Sequence, residues 1–253
     1  RFEELLQKCL VRADGCACAP GCLHRDAVFR VREAYQVQNM YLWRRYQRFC
    51  KTIQDKQKQY RITPEAIDPP VVGALEEFAQ QLQVNVSRNE RLLFHGTGKF
   101  GHAKAIATEG FDNRIAGRGL YGRGTYFASQ TCKSAQYGIP QGQSTKASNR
   151  RVGTMILSRV ALGDPFYAEG PLMSGHYGAD DSRWSRPPAK KSPLSAQAGG
   201  SDDDDDQRDV LCDSVIARPG IRRHGGEQLH AEFVTFAPEQ AYPEFILRYT
   251  EEE

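Results

Sequence analysis

The order of apolar patterns along the 253-residue chain is the feature that most constrains its fold. Helical spacing of apolar residues begins at Gln38, continues to about Lys58, and returns over Val71–Val84. Later apolar segments are short and rich in β-branched and aromatic residues, which is typical of strands; they are Arg151–Gly163, Val210–Ala217, Ala231–Ala237 and Pro243–Tyr249. Helices and strands do not alternate, so the pattern predicts an α+β fold with a mixed or largely antiparallel sheet.

The middle of the chain holds two short strand-like segments, each followed by a helix-like one. The run "RLLFH" predicts a strand, and the following "HAKAIATEG" predicts a helix that ends at Gly110. The run "GTYFA" predicts a second strand, in which alternation puts Tyr126 and Phe127 on opposite faces, with Phe127 in the core. The run "SQTCKSAQYG" predicts a helix with Ser129 as its N-cap and Gly138 as its terminator.

Composition divides the chain into a main domain and two accessory segments. Residues 1–25 are interpreted as an N-terminal helix followed by a cysteine-rich insertion, and residues 26–253 as the main domain. Within it, residues 169–209 contain "SRPPAKKSPLSAQAGGSDDDDDQ", which has almost nothing to bury and predicts a disordered or mobile surface insertion. Its five consecutive aspartates are most simply a solvated tract. Because the chain begins with arginine instead of methionine, we expect it to be part of a longer protein.

Bulk charge and hydropathy exclude several classes of function. With 34 basic and 31 acidic residues, the net charge of +3 gives no case for general nucleic-acid binding. No apolar run approaches the ~20 residues that cross a bilayer, and no secretory signal is evident. An intracellular protein, nuclear or cytoplasmic, is therefore expected. In such a compartment the scattered Cys50, Cys132 and Cys212 are expected to be reduced thiols.

Two glycine-rich runs resemble nucleotide-binding motifs but have the wrong context. The run "GRGLYGRG" at Gly117–Gly124 precedes a strand, whereas a Rossmann fingerprint must connect a strand to a helix. The run "GKFGHAK" lacks the Gly-Lys-Ser/Thr of a phosphate-binding loop. Hydride transfer and phosphoryl transfer are therefore both weakly supported.

A small set of side chains around these strands suits a nicotinamide ring and its ribose. His95 at a strand end can donate a hydrogen bond to a ribose hydroxyl, and Gly96 lets the backbone approach a planar amide. Tyr126 and Tyr137 can form aromatic walls for a positively charged pyridinium ring. Ser134 lies one helical turn before Tyr137 and can reach the carboxamide. The set predicts a pocket for NAD+.

Three segments together, "LLFHGT", "LYGRGTYFASQTCKSAQY" and "AEFVTFAPEQAYPEFILRY", resemble the catalytic domain of the poly(ADP-ribose) polymerase family, the diphtheria-toxin-like ADP-ribosyltransferases. The run "VQNMYLWRRYQRFCKTI" resembles the N-terminal strand and helix of members without a helical regulatory subdomain. The resemblance covers most of Asp26–Tyr249. It implies a mixed, mainly antiparallel split β-sheet with flanking helices and no helical regulatory subdomain.

The resemblance also implies roles for individual residues toward NAD+. The catalytic set would be His95, Tyr126 and Glu232, and the NAD+-binding set would be His95, Gly96, Thr97, Arg114, Tyr121, Tyr126, Lys133, Ser134 and Tyr137. Thr97 would lie near the adenosine, and Lys133 would place an acceptor or a phosphate. Arg114 and Tyr121 would belong to a loop over the dinucleotide.

Glu232 matches the position of the family's glutamate, whereas Glu227 would lie before the strand. A carboxylate there can bond the ribose 2′-hydroxyl, stabilise an oxocarbenium-like state and accept a proton from the attacking group. The expected function is cleavage of the nicotinamide–ribose bond of NAD+, used as a substrate, and transfer of ADP-ribose to protein acceptors, including the enzyme itself. Elongation of a chain through Glu232 and a catalytically degenerate NAD+- or ADP-ribose-binding module remain alternatives.

A separate cluster in the first 25 residues offers potential metal ligands, namely Cys9, Cys16, Cys18, Cys22 and His24. Their spacing is not one of the usual structural-zinc patterns. A cysteine-bearing insertion is therefore the simpler interpretation, and the expected chemistry requires no metal.

Overall fold

The computed structural model describes residues 1–10, 28–68, 70–115, 119–139, 150–172, 185–190, 210–221, 227–228 and 230–252. The helices found there are α1 (Phe2–Lys8), α2 (Met40–Gln59), α3 (Gly73–Gln81), α4 (Phe100–Glu109) and α5 (Thr131–Gly138). The strands are β1 (Val28–Gln36), β2 (Glu90–Gly96), β3 (Thr125–Phe127), β4 (Arg150–Ala161), β5 (Pro165–Ala168), β6 (Ala189–Lys190), β7 (Val210–Leu211), β8 (Ser214–Ala217), β9 (Gly220–Ile221), β10 (Glu227–Gln228), β11 (Glu232–Thr235) and β12 (Ala241–Glu252).

Two four-stranded sheets form the centre of the molecule. The first has the order β1-β12-β4-β2 and is antiparallel throughout, and the second has the order β3-β11-β8-β5 with a parallel pairing of β5 and β8. Phe94 of β2 and Ala128 exchange backbone hydrogen bonds of 2.8 and 2.9 Å, which join the two sheets. The predicted α+β class and the mixed, mainly antiparallel split sheet are confirmed.

Helix α1 packs into the same core as the sheets. Leu5 and Leu6 are buried in the largest hydrophobic cluster. Glu3 Oε2 accepts a hydrogen bond from Val31 N at 3.2 Å, and Gln7 Oε1 accepts one from Phe29 N at 3.3 Å. These side chains satisfy backbone donors of β1, which is an edge strand of its sheet. The first ten residues therefore cover an edge that would otherwise meet solvent.

Most predicted elements exist, and the differences have local causes. Helix α4 ends at Gly110 as predicted, with φ of +92°. Helix α5 begins after Gln130, which makes no side-chain cap, so Ser129 is not its N-cap. The predicted strand Val210–Ala217 is divided into β7 and β8, because Asp213 turns aside to accept a hydrogen bond from the backbone N–H of Asp164 at 2.8 Å.

The insertion predicted over residues 169–209 is described only at 169–172 and 185–190. In those parts, Leu172 is 1% exposed and donates its backbone N–H to Leu120 O at 2.9 Å. The pairing of β6 with β7 also ties Ala189–Lys190 to the domain. The aspartate tract lies outside the described residues.

The cysteines are only partly as predicted. Cys9, Cys50 and Cys212 are free thiols, and burial raises the pKa of each to about 12. Cys132 is disulfide-bonded, so the prediction of a reduced thiol is wrong there. Sequence spacing cannot show which distant cysteines meet in space, and a disulfide requires the two α-carbons to lie within a few ångströms of each other.

Of the candidate metal ligands, only Cys9 lies within the described residues. It is buried with a raised pKa, which disfavours the thiolate form that binds metals. Cys16, Cys18, Cys22 and His24 lie outside the described residues. No group of three or more potential metal ligands occurs within the part of the chain that is described. None of the helices in that part is both long and apolar enough to cross a bilayer.

Candidate active site

His95 lies near the end of β2 and is oriented by strand β3. Its Nδ1 is 2.8 Å from the carbonyl oxygen of Tyr126. A carbonyl only accepts hydrogen bonds, so Nδ1 carries the proton and Nε2 keeps its lone pair when the ring is neutral. The rings of Phe111 and Phe127 pack against the imidazole, and burial lowers the pKa of His95. In this tautomer the neutral ring can accept a hydrogen bond at Nε2, whereas the sequence analysis assigned His95 a donating role.

Tyr126 is fixed by the loop that precedes β3. Its hydroxyl donates to Gly122 O at 2.7 Å and accepts from Tyr121 N at 3.0 Å. A β-carbon at Gly119 would lie 2.1 Å from the Tyr126 hydroxyl, so any other residue there would displace the phenol from its present position. Phe127, which points to the opposite face, is 2% exposed, and its predicted place in the core is confirmed.

Glu232 lies on β11, the strand next to β3. Val234 pairs with Tyr126, and Glu232 is two residues from Val234, so Glu232 and Tyr126 share a face of the sheet. The side chain is buried, and its Oε1 is 3.0 Å from Lys133 Nζ. Lys133 thus contacts the glutamate, a partner that sequence reasoning missed. Glu227, the competing carboxylate, is on β10 and not on β11.

Helix α5 brings the remaining nicotinamide candidates to the end of β2. A β-carbon on Gly96 would lie 2.1 Å from Ser134 O and 2.7 Å from Gly138 N, so glycine is required for the strand to contact the helix. Ser134 is buried in this contact. Tyr137 is 61% exposed, and Lys133 Nζ lies 5.3 Å from its ring centroid. A cation already occupies the position over the ring that a pyridinium would need.

Contacts far apart in the sequence hold the first turn of α5. Thr131 Oγ1 donates to Leu6 O at 2.8 Å, and Thr131 N donates to Cys9 O at 3.1 Å. Gln130 Oε1 is 2.7 Å from His230 Nδ1, and both side chains are buried. Sequence reasoning missed these groups, and no local signal could have found them because their partners are about a hundred residues or more away.

Three further residues that the sequence predicted to bind NAD+ are Thr97, Arg114 and Tyr121. Thr97 donates its hydroxyl to Lys99 O at 3.1 Å. Arg114 makes two hydrogen bonds of 2.9 and 2.8 Å to Asp112, and its side chain is 91% exposed. The Tyr121 side chain is 1% exposed and lies in a second hydrophobic cluster. Its ring is therefore not exposed to the site, and its backbone N–H contributes by donating to the Tyr126 hydroxyl.

Comparison with known proteins gives one family. Residues 23–251 match the family model described as "Poly(ADP-ribose) polymerase catalytic domain". The chain is 28% identical over 222 residues to the human "Protein mono-ADP-ribosyltransferase PARP12". The aligned region is 87% of this chain and 22% of that protein. Two shorter matches are to "Protein mono-ADP-ribosyltransferase PARP3". The human protein is 41% identical over 75 residues, which is 30% of this chain and 13% of that protein. The Gallus gallus protein is 38% identical over 78 residues, which is 31% of this chain and 13% of that protein. The chain thus spans about a fifth or less of the length of these relatives.

Proposed function

The chain belongs to the poly(ADP-ribose) polymerase catalytic-domain family, and we propose that it is an NAD+-dependent ADP-ribosyltransferase that modifies proteins. The observation that carries the proposal is the convergence of three strands on one site. His95 of β2 contacts Tyr126 of β3, and Glu232 of β11 lies on the same face as Tyr126. Such a group can hold one ribose between a hydrogen-bond acceptor, a phenol and a carboxylate.

The geometry around α5 supports nicotinamide as the bound ring. The Tyr137 ring attracts cations, as its contact with Lys133 Nζ at 5.3 Å from the centroid indicates, and a pyridinium ring would stack on it in place of that ammonium. Gly96 and Ser134 would hold the carboxamide, and Nε2 of neutral His95 would accept a hydrogen bond from a ribose hydroxyl. Thr97, Arg114 and the loop before Tyr126 would contact the adenosine side.

The reaction breaks the bond between ribose C1′ and the nicotinamide nitrogen. The bonding electron pair leaves with the nitrogen, so nicotinamide departs as a neutral molecule and the positive charge moves to the ribose. The Glu232 carboxylate would bond the 2′-hydroxyl, stabilise that charge, and accept the proton of an attacking hydroxyl group. A bond then forms from C1′ to the acceptor oxygen. Because the leaving group departs neutral, the step requires no metal ion as a Lewis acid.

Chain elongation, the addition of further ADP-ribose units to the first, is a second step of the proposed activity. The same carboxylate can accept the proton of a hydroxyl on an ADP-ribose already attached to the protein. The relatives PARP12 and PARP3 are named mono-ADP-ribosyltransferases, whereas Glu232 supplies the group that elongation needs. We therefore propose transfer of one unit as the basic activity, with elongation through Glu232 detectable as longer product.

An automodification assay with labelled NAD+ tests both parts. We expect label on the wild-type protein, and a loss of at least about 10²-fold in Glu232→Gln because an electrostatic contact to the transition state is removed. Glu109→Gln, at an exposed position on α4, is the matched control and should keep full activity. Binding of NAD+ without any transfer by the wild type would favour the degenerate binding module instead. Gel analysis of product length measures elongation separately.

We also infer an intracellular compartment, nuclear or cytoplasmic. The free thiols of Cys9, Cys50 and Cys212 support it, whereas the disulfide at Cys132 opposes it. Acceptors would be proteins, including this one.

A further inference from the structure

Helix α2 carries a line of basic side chains on its exposed face. Arg44, Arg48, Lys51 and Lys58 are all exposed, and we call them the basic stripe. Their spacings of four, three and seven residues put them on one side of the helix. The stripe is about 21 Å long at 1.5 Å per residue. The whole helix contains six basic residues and a single acidic one, Asp55.

Within the described residues, the basic stripe makes no ion pair with another element of the fold. The other two basic residues of α2 do pair with residues outside the helix, Arg45 with Glu239 and Lys56 with Asp213. On the stripe, the one ion pair within the described part of the chain joins Lys51 to Asp55 at 2.7 Å. Both of those side chains are more than half exposed. Exposed pairs of this kind contribute only about 0.3–0.5 kcal/mol, so the charge remains available to a partner.

The overall charge of the chain conceals this concentration. Residues 191–209 contain two basic and six acidic residues, so the remaining residues carry a formal charge of +7 although the whole chain carries +3. The net charge of the whole sequence is therefore not a measure of the charge on the exposed face of α2, which acts over roughly a Debye length of 10 Å.

A cleft of about 190 Å³ opens beside the stripe. The cationic residues Lys51 and Arg88 line it together with the amide side chains of Gln47 and Gln54. Ammonium and guanidinium groups attract phosphate, and amides both donate and accept hydrogen bonds. The cleft thus combines anion-attracting groups with groups that recognise neutral polar atoms.

Glu90 also lines the cleft and limits what can enter it. Its carboxylate is buried and oriented, since Oε1 accepts from the Tyr46 hydroxyl at 2.6 Å and Oε2 from Asn85 N at 3.1 Å. A carboxylate repels a phosphate and attracts an amino group. The cleft therefore suits a neutral ring that carries an exocyclic amine, with its phosphate outside against Lys51 and Arg88.

An exposed aromatic side chain marks the N-terminal end of the stripe. Tyr41 is 66% exposed, and the neighbouring Met40 is 62% exposed. The guanidinium of Arg45 lies 5.4 Å from the Tyr41 ring centroid, which leaves the ring's other face for stacking. Single-stranded nucleic-acid sites combine such a stacking surface with a basic track for the backbone.

We propose that α2 binds single-stranded nucleic acid, with the backbone along the basic stripe, one base in the cleft and one stacked on Tyr41. An acidic peptide would use the stripe but neither the cleft nor the ring. A duplex would keep its bases stacked and unavailable to the cleft. The site shares no residue with the proposed transferase site and does not depend on it.

Fluorescence anisotropy with a labelled RNA of about 12 nucleotides, over about 50 to 200 mM salt, tests the stripe. The triple variant Arg44→Gln, Arg48→Gln, Lys58→Gln should weaken binding more than tenfold at low salt. The slope of log K against log salt should become shallower by about 0.7 for each phosphate that the variant no longer neutralises. The control is the triple variant Lys8→Gln, Lys99→Gln, Lys104→Gln, which removes the same charge from exposed positions elsewhere and should bind within twofold of the wild type.

A second variant tests the cleft without changing charge. Gln54→Met removes the amide at similar volume and should weaken RNA binding severalfold with an unchanged salt dependence, while binding of poly-glutamate stays as in the wild type. The proposal is wrong if both triple variants lose binding equally, if a duplex of the same sequence binds more tightly, or if poly-glutamate binds as well as RNA and Gln54→Met has no effect. A melting temperature within a few degrees of the wild type would exclude misfolding of each variant. The binding assay does not depend on NAD+ turnover.

Discussion

Helices α2 and α5 carry the two proposed sites and are stabilised in opposite ways. Helix α2 has twenty residues, begins at an N-cap in which Asn39 Oδ1 accepts from Leu42 N at 3.1 Å, and keeps one whole face in solvent. Helix α5 has eight residues and no side-chain N-cap, and five of the eight are buried. Isolated helices shorter than about 12 residues are marginal in water. Helix α5 therefore depends on its neighbours in a way that α2 does not.

The difference explains where each kind of chemistry can be built. The site candidates on α5 must be held precisely against β2 and β11, and the burial of five of its eight residues provides that precision. A surface that binds a flexible polymer needs exposed charge more than precision, and α2 supplies it. Three substitutions and a change of pH test this difference between α2 and α5.

Gly96→Ala should have the largest effect, because the new β-carbon would lie 2.1 Å from the backbone of Ser134. We expect a loss of about 3 kcal/mol or more in the free energy of unfolding, measured by chemical denaturation, together with loss of NAD+ binding. Gly101→Ala is the control, since no atom lies within 4 Å of the β-carbon that alanine would add and alanine favours the helix by about 0.4–1 kcal/mol. Equal effects at the two glycines would contradict the close approach of β2 to α5.

Thr131→Val should cost about 1–3 kcal/mol, because it leaves the buried carbonyl of Leu6 without its donor. We expect the KM for NAD+ to rise as well, since the first turn of α5 would loosen. Thr52→Val removes an exposed hydroxyl that bonds within α2, to Arg48 O, and should change the free energy of unfolding by less than about 0.5 kcal/mol. An unchanged KM in Thr131→Val would show that α1 does not position α5.

Asn39→Ala should cost about 1–2 kcal/mol through loss of the α2 cap and of the Nδ2 hydrogen bonds to Ala107 O and Thr108 O. The KM for NAD+ should not change, because none of the residues proposed to bind NAD+ lies on α2. Thermal denaturation and steady-state kinetics on the same preparation separate the two quantities. A rise in KM as large as that of Thr131→Val would mean that the two helices are coupled.

Acid pH should have the smallest effect and should act on one site only. The pKa of His95 is lowered below its ordinary 6.5 by burial, so its contribution to stability is complete above pH 6.5 and declines as the pH falls below that value. Protonation removes the Nε2 acceptor, and we expect the KM for NAD+ to rise as the pH falls below 6.5 and through the lowered pKa of His95. Oligonucleotide binding should stay level over the same range, because arginine and lysine do not titrate there. An acid limb that begins above pH 6.5 would contradict the burial of His95.

Much of the fold could be predicted because it depends on local patterns. The apolar spacing of α2, the glycine that ends α4 and the alternation around Tyr126 are each contained in a few consecutive residues. The order of the motifs around His95, Tyr126 and Glu232 was enough to indicate a family. The boundaries of α5 and the break between β7 and β8 were not predictable, because distant side chains cause them.

Periodicity in the sequence alone determined most of the strands and helices, and the resemblance of its motifs to the family indicated the groups that we propose for holding NAD+. Only the tertiary structure decided that Lys133 contacts Glu232 and that Thr131 is held by Leu6, 125 positions away in the chain. Hydrogen bonds and ion pairs act over a few ångströms of space and leave no periodic trace in the sequence. The partners of α5 therefore become visible only when the two sheets, α1 and α5 have packed together.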